Sequence, residues 1–446
     1  MTQPTGERAP DRKREQRGWY VYDWANSAFS TTVVTTFLGP YLTTLAENAA
    51  GPDGRVSFLV GEVTPGQYFG YVLSLSVVMQ VVLLPVVGAI ADHTHRKKEL
   101  LALFAYIGAF ATMLMVFLQG DRYALGGLLL VVANLAFGAS VVVYNSFLPQ
   151  ISTPDERDAV SSRGWALGYA GGALLLSANL VLFLGHASFG LTEGQAVRVS
   201  LLSAGVWWAA FTLVPLRRLH NRGVVAARDG SVVGSGFRQL GRTLSEMRRY
   251  PRTLLFLLAY LIYNDGIQTV IATAGIFIEK ELGLGTGVTV AVVLLVQVVA
   301  FAGALLLGRL AARFGSKKVI LGSLVGWSAI LVYAFGMPAG AAGPVFVLAA
   351  AIGLVLGGSQ ALSRSLFSQL IPRDREAEYF SFYEISERGT SWLGTASFSL
   401  MYGITGSYRS SIVVLVVFFV VGGGLLALVR VRAAIDDVGN PQPRIV

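Results

Sequence analysis

Apolar stretches long enough to cross a membrane recur along almost the whole chain of 446 residues. A helix needs roughly 20 apolar residues to span a bilayer. We place twelve spans at 19–45, 66–91, 98–119, 123–150, 159–185, 197–216, 253–279, 286–314, 317–337, 341–371, 377–404 and 408–431. Hydrophobic residues make up 54% of the chain and charged residues 14%, a balance typical of a protein solvated by lipid. The sequence therefore predicts an all-α, multi-pass integral membrane protein.

The spans divide into two groups of six, separated by a basic stretch. We predict a tail at 1–18, a six-helix bundle at 19–216, a linker at 217–252, a second six-helix bundle at 253–431 and a tail at 432–446. The linker contains nine arginines and a GSVVGSG run, which is typical of a flexible connection. It is the predicted boundary between two domains.

Lysine and arginine are distributed unevenly between the two sides of the predicted bundle. If the N-terminus is cytoplasmic, 28 of the 35 lie in the tails, cytoplasmic loops or helix ends, and two lie inside spans. The other five are Arg55, Arg122, Arg198, Lys280 and Arg409. Cytoplasmic loops are enriched in positive charge, so we expect both termini in the cytoplasm and the chain in the plasma (inner) membrane. The net charge of +9 thus reflects topology, and no nucleic-acid partner is expected.

Several functional classes are disfavoured by what the chain contains. It has no cysteine, and its four histidines lie in loops or at helix ends without the spacing of a metal site. No phosphate-binding glycine loop is evident, and the basic N-terminus shows no apolar core followed by a cleavage site. We therefore expect no metal, no cofactor and no enzymatic activity.

The two halves repeat one another in the same order. The matching segments are GAIADHTHRKKEL from Gly88 with GRLAARFGSKKVIL from Gly308, LPQISTPDER from Leu148 with SQLIPRDRE from Ser368, and, more weakly, YDWANSAFSTT from Tyr22 with YLIYNDGIQTV from Tyr260. Gly88 and Gly308 are 220 residues apart, and Pro154 and Pro372 are 218 apart. The chain is therefore predicted to be a duplicated six-helix unit with parallel halves.

The first repeated segment predicts a pair of gating loops. Each copy has a glycine near charged residues at the membrane edge, where a small residue lets helices approach closely and an ion pair can open and close. The candidate residues are Gly88, Asp92, Arg96, Lys97, Gly308, Arg313 and Lys317. Ala312 occupies the position equivalent to Asp92, so the two copies are not equivalent. The alternative is that these charges only set the topology. This loop after the second and eighth spans resembles the signature loop of the major facilitator superfamily.

A more specific resemblance is carried by the first and tenth spans. YDWANSAFSTTVVTTFLGPYL from Tyr22 and GGSQALSRSLFSQLIPRDREAEYFSFYE from Gly357 resemble the vacuole effluxer-like branch of that superfamily, related to the fungal autophagy-associated vacuolar amino-acid exporter. YNDG from Tyr263 and RGWALGYAGG from Arg163 support the resemblance. It implies a twelve-helix major facilitator fold with two bundles around a central cavity, and export of small metabolites such as amino acids. The polar YFSFYEISERGTS segment of the eleventh span departs from the pattern.

Asp265 is the predicted coupling group, because it lies near the middle of the seventh span. A carboxylate in a membrane is costly when charged, so such a group can load and release a proton. Asn264 and Gly266 flank it, and we expect a local irregularity of the helix there. The alternative is a carboxylate that only holds helices together through a hydroxyl or an arginine.

Three further charged groups need partners within the membrane. Asp23 lies about one turn inside the first span, where an interfacial or helix-capping role competes with a role in transport. Arg388 has Glu384 four residues before it, so an ion pair within one helix is available. Arg364 has no acid nearby in sequence, and we expect it to contact a carboxylate of another helix or an anionic group of the substrate.

Polar residues on several spans complete the predicted pathway. The substrate and proton pathway is predicted to include Asp23, Asn26, Tyr144, Asn145, Tyr263, Asn264, Asp265, Gln268, Gln360, Arg364, Tyr383, Glu384 and Arg388. Individually, most of these side chains are also compatible with ordinary packing.

We interpret the chain as a secondary transporter that exports amino acids or similar polar metabolites, is driven by protons or another coupling ion, and works as a monomer among membrane lipids. The alternatives are efflux of amphipathic drugs, a scaffold without transport, and an enzyme acting on lipid.

Overall fold

The computed structural model describes residues 9–59, 61–94, 96–222, 245–388 and 392–446, and most of them are helical. The first half contains α1 (Ala9–Ala28), α2 (Leu38–Ala49), α3 (Pro65–His93), α4 (Lys97–Leu114), α5 (Tyr123–Ser146), α6 (Leu148–Ile151), α7 (Arg157–Leu184) and α8 (Glu193–Arg218). The second half contains α9 (Pro251–Ile276), α10 (Thr286–Phe314), α11 (Ser316–Phe335), α12 (Ala342–Gln369), α13 (Glu376–Arg388), α14 (Trp392–Thr405), α15 (Tyr408–Val413), α16 (Val416–Leu428) and α17 (Val431–Asp437). An antiparallel pair of short strands, β1 (Val56–Phe58) and β2 (Gly61–Val63), lies between α2 and α3.

Ten helices in the described part of the chain are long and apolar enough to cross a membrane. They correspond to ten of the twelve predicted spans. The first span instead runs through α1, a π-helical segment Phe29–Phe37 and α2, and its polar beginning lowers its hydropathy. The eleventh is divided between α13 and α14, with residues 389–391 outside the described part. The polar start of the first span and the division of the eleventh into two short helices therefore explain why these two are not among the ten.

The seventh span corrects one expectation. The helix α9 is continuous through Asn264, Asp265 and Gly266, and a π-helical segment, Phe277–Glu281, follows only at its end. Gly266 serves a different purpose, because a Cβ atom there would lie 3.0 Å from Phe418 and 3.0 Å from Phe419. The glycine lets α9 pack closely against α16, and the expected irregularity at Asp265 is wrong.

Buried apolar side chains form two clusters that follow the two halves of the chain. One cluster runs from Trp19 to Leu219, with Ala377 as its single member from the second half, and the other runs from Met247 to Ile435. Most of the predicted linker, residues 223–244, lies outside the described part. Each half of the described chain therefore has its own buried apolar cluster.

The start of α1, where the described part begins, and the C-terminal end of the chain lie at one end of the bundle. Arg12 of α1 forms an ion pair with Glu156 at 3.2 Å, and the backbone N–H of Arg444 donates to the neighbouring Asp155 at 2.7 Å. We call this end the termini face and the end with the two strands the hairpin face. The two halves meet near the termini face where α3 packs on α13 and α7 packs on α10.

Candidate functional site

A cavity of about 260 Å³ lies between helices of both halves. Its lining residues are Ser27, Ser30, Thr31, Thr35, Trp165, Gly168, Tyr169, Leu176, Gln268, Val270, Ile271, Ala274, Val292, Val293, Val296, Gln297, Ile352, Leu356 and Gln360. Helices α1, α7 and α9 begin at the termini face, whereas α10 and α12 begin at the hairpin face. These positions place the cavity between the middle of the bundle and the hairpin face. Hydroxyl, amide and phenol groups share its wall with aliphatic side chains.

The wall from the first span is polar because serines and threonines line it where α1 continues into the π-helical segment Phe29–Phe37. The hydroxyls there are satisfied by their own backbone: Thr31 donates to the carbonyl oxygen of Ser27 at 2.7 Å, and Thr35 donates to that of Ser30 at 2.8 Å. Such bonds let hydroxyls remain in a membrane while their oxygens still accept hydrogen bonds. π-Helical turns are frequent at functional sites.

A polar network lies one helical turn below the cavity, towards the termini face. Three lining residues have a network residue four positions away in that direction: Ser27 has Asp23, Trp165 has Ser161, and Gln360 has Arg364. One turn of helix corresponds to about 5.4 Å. The network therefore forms the floor of the cavity.

Arg364 is at the centre of this floor and joins α12 to three helices of the first half. Its Nη2 donates to Asp23 Oδ2 at 3.1 Å and to the carbonyl oxygen of Ser161 at 2.9 Å. Its Nε donates to Ser161 Oγ at 2.9 Å, and its Nη1 donates to Asn145 Oδ1 at 3.3 Å. Of the two expectations for Arg364, the structure shows the contact with a carboxylate of another helix. Asp23 is the fifteenth residue of α1, so it does not cap a helix.

Aromatic rings enclose the guanidinium group. The centroids of Trp19, Tyr144 and Trp165 lie 4.7, 5.6 and 5.4 Å from its central carbon. Trp19 also stacks on Tyr144 and donates from its indole nitrogen to the Tyr144 carbonyl oxygen at 2.9 Å. Tyr144 thus belongs to the arginine site as a ring that packs on the cation.

The network continues through Asn145 to α13. Asn145 Nδ2 donates to Glu384 Oε1 at 2.7 Å, and Arg388 Nε donates to Glu384 Oε2 at 3.1 Å. The structure therefore contains the predicted pair within one helix. Arg388 lies over the ring of Phe137, 4.4 Å from its centroid. One amide of the first half thus connects the Asp23–Arg364 pair, which joins the two halves, with the Glu384–Arg388 pair of the second half.

The seventh span contributes a neutral extension of the network. Asn264 donates to the carbonyl oxygen of Glu387 at 3.0 Å and accepts from Gln360 at 2.8 Å. Tyr260 donates to Glu387 Oε2 at 3.2 Å. Gln268, one turn above Asn264, reaches the cavity.

The remaining predicted pathway residues are buried away from the cavity wall. Tyr263 bonds Ser363 at 2.6 Å, Tyr383 stacks on Tyr260 with centroids 4.2 Å apart, and Asn26 is buried on α1.

Asp265 is buried but does not line the cavity. Its Oδ2 accepts from the backbone N–H of Gly394 at 2.9 Å, in the first turn of α14. A carboxylate at a helix N-terminus is stabilised by the exposed N–H groups and by the helix dipole. The structure thus separates Asp265 from the group formed by Asp23, Asn145, Arg364 and Glu384.

The first predicted gating loop packs against α13 at the termini face, below the floor. Asp92 Oδ2 accepts from the backbone N–H of Glu378, in the first turn of α13, at 2.8 Å. Lys97 Nζ lies 2.7 Å from Asp92 Oδ1 and 3.1 Å from Glu376 Oε2. Gly88 permits the approach, because a Cβ atom there would lie 2.5 Å from the Ala377 carbonyl oxygen. Arg96, in contrast, is exposed and does not belong to this buried cluster.

The second loop is closed by an acid from the other half. Asp158 of α7 accepts from Ser316 at 2.6 Å and from Ser365 at 2.6 Å. A Cβ atom on Gly308 would lie 2.4 Å from Ser162 Oγ, so this contact is equally close.

The predicted cations of the second loop do not bind this acid. Lys317 donates to the carbonyl oxygens of Ala427 and Val429 at 2.8 and 2.9 Å, and Arg313 is exposed beside Phe314.

Sequence reasoning missed Asp158, Ser161, Glu376 and Glu378. The repeat based on Pro154 and Pro372 offered a signal, since its offset of 218 aligns Asp158 with Glu376. In each half, this acid lies at the start of a helix that packs against the other half: Asp158 on α7 and Glu376 on α13.

Comparison with known proteins identifies the family. The model of the family described as "Vacuole effluxer Atg22 like" matches residues 11–439. An uncharacterized MFS-type transporter, YxiO of Bacillus subtilis, is 30% identical over 95% of this chain and 96% of its own length. Autophagy-related protein 22-1 of Penicillium rubens is 26% identical over 96% of this chain and 92% of its own.

Solved structures show the same fold at low identity. The proton:xylose symporter XylE has a TM-score of 0.67 at 10% identity, covering 93% of this chain and 94% of that chain. A bacterial homologue of the iron transporter ferroportin has a TM-score of 0.66 at 14% identity, covering 94% and 98%. The predicted all-α major facilitator fold is confirmed. The chain therefore belongs to the Atg22-like vacuole effluxer family and is a transporter of the major facilitator superfamily.

Proposed function

We propose that this transporter moves amino acids or similar small polar metabolites across the membrane with proton coupling. The observation that carries the proposal is a cavity of about 260 Å³ whose floor is a buried ion pair between the two halves. Pockets for drug-sized ligands usually measure roughly 300–1,000 Å³. The smaller volume and the hydroxyl and amide groups on the wall support a small polar substrate and argue against amphipathic drugs.

Transport by alternating access explains both the closed loops and the position of the cavity. The contacts of Asp92 and Asp158 hold the halves together at the termini face, while the cavity extends towards the hairpin face. Breaking these contacts and closing the hairpin side exposes the same residues to the opposite side. The substrate then crosses without a continuous pore.

Proton coupling is supported by the carboxylates that both halves place near the floor. Asp23 and Glu384 are buried, and each has an arginine partner. Adding a proton to one of these carboxylates, or removing it, changes the charge at the interface between the two halves. Alternating access requires this interface to open. Asp265 remains a second proposed coupling group. It would act through its hydrogen bond to the first turn of α14.

The test is flux of labelled amino acids into and out of proteoliposomes under an imposed proton gradient. We expect gradient-driven accumulation by the native chain, and loss of that accumulation in Asp23→Asn. Flux is measured in both directions, because export and uptake give net fluxes of opposite sign. Export is the direction expected from the resemblance. Glu62→Gln, which removes an exposed carboxylate near the hairpin, serves as the matched control.

Three outcomes would change the proposal. Absence of flux for every amino acid would reject this substrate class. Native accumulation that does not depend on the gradient would reject proton coupling. Equal accumulation by the native chain and by Asp265→Asn would remove Asp265 as a coupling group.

A further inference from the structure

A short C-terminal segment crosses the termini face from one half of the chain to the other. It follows α17, whose buried Val431, Ala434 and Ile435 belong to the apolar cluster of the second half. Gly439 then turns the chain out of this helix with a φ of 68°, a conformation that glycine adopts readily. We call residues 439–446 the strap.

The strap is held first by the second half. Asn440 is buried, and its Nδ2 donates to the carbonyl oxygens of Gln369 at 3.0 Å and of Ile371 at 2.8 Å. These carbonyls lie at and just after the end of α12, where a helix leaves its last carbonyl groups without partners of its own. Arg252 of α9 also forms an ion pair with Asp437 at 2.6 Å, just before the strap begins.

Further along, the strap reaches the first half. The backbone N–H of Arg444 donates to Asp155 Oδ1 at 2.7 Å, and Arg444 Nε lies 3.6 Å from Asp155 Oδ2. The Arg444 side chain is 91% exposed and that of Asp155 is 49% exposed. The strap then returns to the second half, because a Cβ atom on Gly315 would lie 2.6 Å from the carbonyl carbon of Val446. Gly315 precedes Ser316, so the strap passes beside the second loop.

The two attachment points belong to the same repeated segment of the two halves. Asp155 lies in LPQISTPDER, and Gln369 and Ile371 lie in SQLIPRDRE. Asn440 and Arg444 are four residues apart in the chain. Four residues span at most about 14 Å when fully extended. If the two repeated segments move further apart than the strap can reach, one of its ends must detach.

We propose that the strap is an autoinhibitory device that restrains the termini face in its closed state and must leave Asp155 before the halves separate there. Asp155 is the end that detaches, because exposed ion pairs contribute little to stability, whereas Asn440 makes two hydrogen bonds away from solvent. The strap stays attached to the second half through Asn440 and binds Asp155 again when the face closes. It acts on the conformational cycle, whichever solute the protein carries.

The test is the distance between spin labels on the two sides of the termini face. The chain has no cysteine, so labels are placed on Arg96→Cys and Lys318→Cys, which are both exposed. Asp155→Ala removes the acceptor in the first half, and Asn440→Ala removes the donor in the second half. Because either change frees the strap, each should raise the ratio of open to closed molecules about two- to five-fold, the range expected for one exposed charged contact.

The double variant distinguishes a strap from two unrelated contacts. Once one end is free, releasing the other end has no further effect, so Asp155→Ala combined with Asn440→Ala should open the face no more than the larger single change. Independent contacts would give free energies that add. Asp121→Ala, which removes an exposed carboxylate on the hairpin side, is the matched control and should leave the distances unchanged. Melting temperatures in detergent establish that each variant is folded.

Two results would overturn the proposal. One is a distance distribution that is the same in Asp155→Ala and in the native chain. The other is a double variant whose effect equals the product of the two single effects, which would give each residue a separate local role.

A deletion replaces Asn440→Ala if that variant does not fold. Removal of residues 441–446 keeps Asn440 on its carbonyl partners and removes the contact with Asp155. It should reproduce the effect of Asp155→Ala and add nothing to it, and an additive effect would again overturn the proposal. The distances are measured without substrate, so failure of the strap leaves the proposed function intact, and absence of amino-acid flux leaves the strap intact.

Discussion

At the scale of single residues, small side chains on α7 determine whether the central ion pair can form. Gly164 faces both partners: a Cβ atom there would lie 2.6 Å from Asp23 Oδ2 and 3.0 Å from Arg364 Nη2. Close approach of membrane helices depends on such small residues. The proposed function therefore predicts that this glycine affects transport as well as packing.

Gly164→Ala should weaken the pair and slow transport. The extra methyl group must displace either a carboxylate or a guanidinium, and overpacking of this kind typically costs about 1–3 kcal/mol. Thermal unfolding in detergent and proteoliposome flux measure the two effects. Gly322→Ala is the matched control, because nothing lies within 4 Å of a Cβ atom there. A Gly164→Ala variant with unchanged flux would show that the cavity tolerates movement of this pair.

At the scale of helices, each of the two predicted gating loops is hydrogen-bonded to the other half of the chain, but through different residues. In the first, Asp92 of α3 bonds the start of α13 in the other half. In the second, where Ala312 replaces the aspartate, Asp158 of α7 bonds Ser316 at the start of α11 and Ser365 of α12. At both loops, therefore, the carboxylate of one half accepts hydrogen bonds from the other half. In the first case the carboxylate belongs to the loop segment, and in the second it belongs to the helix that packs against the loop.

Asp158→Ala should open the termini face more often. Ser316 and Ser365 would lose their acceptor, and an unsatisfied buried donor costs about 1–3 kcal/mol each. Because the chain has no cysteine, spin labels can be placed on Arg96→Cys and Lys318→Cys without background. The distance distribution between them should shift towards longer distances. Asp121→Ala, a carboxylate removed from the exposed hairpin side, should leave it unchanged. An unchanged distribution in Asp158→Ala would mean that the first loop alone holds this face closed.

The sequence predicted most helices but only part of the site, for identifiable reasons. Ten spans follow from apolar length, which requires no knowledge of neighbours. The need of Arg364 for a partner also followed from the cost of a buried charge, but the partner lies 341 residues away and only the fold identifies it. Depth along a helix made Asp265 a candidate, and depth does not specify which side of the helix a residue faces.

At the scale of the whole molecule, the direction of transport depends on which face of the bundle is cytoplasmic. The termini face carries Arg12, Lys97 and the other loop cations, whereas the hairpin face carries few basic residues. The positive-inside rule then predicts that the half of the bundle containing the cavity faces the outside. The direction of transport in the proposed function depends on this orientation.

Single cysteines test this orientation directly in cells. We expect Asp53→Cys, exposed before the hairpin, to react with a membrane-impermeant maleimide added outside intact cells. Lys318→Cys, exposed at the termini face, should react only after the cells are permeabilised. The native chain provides the blank, since it has no cysteine. The reverse labelling pattern would contradict the expected orientation and would place the cavity on the cytoplasmic side.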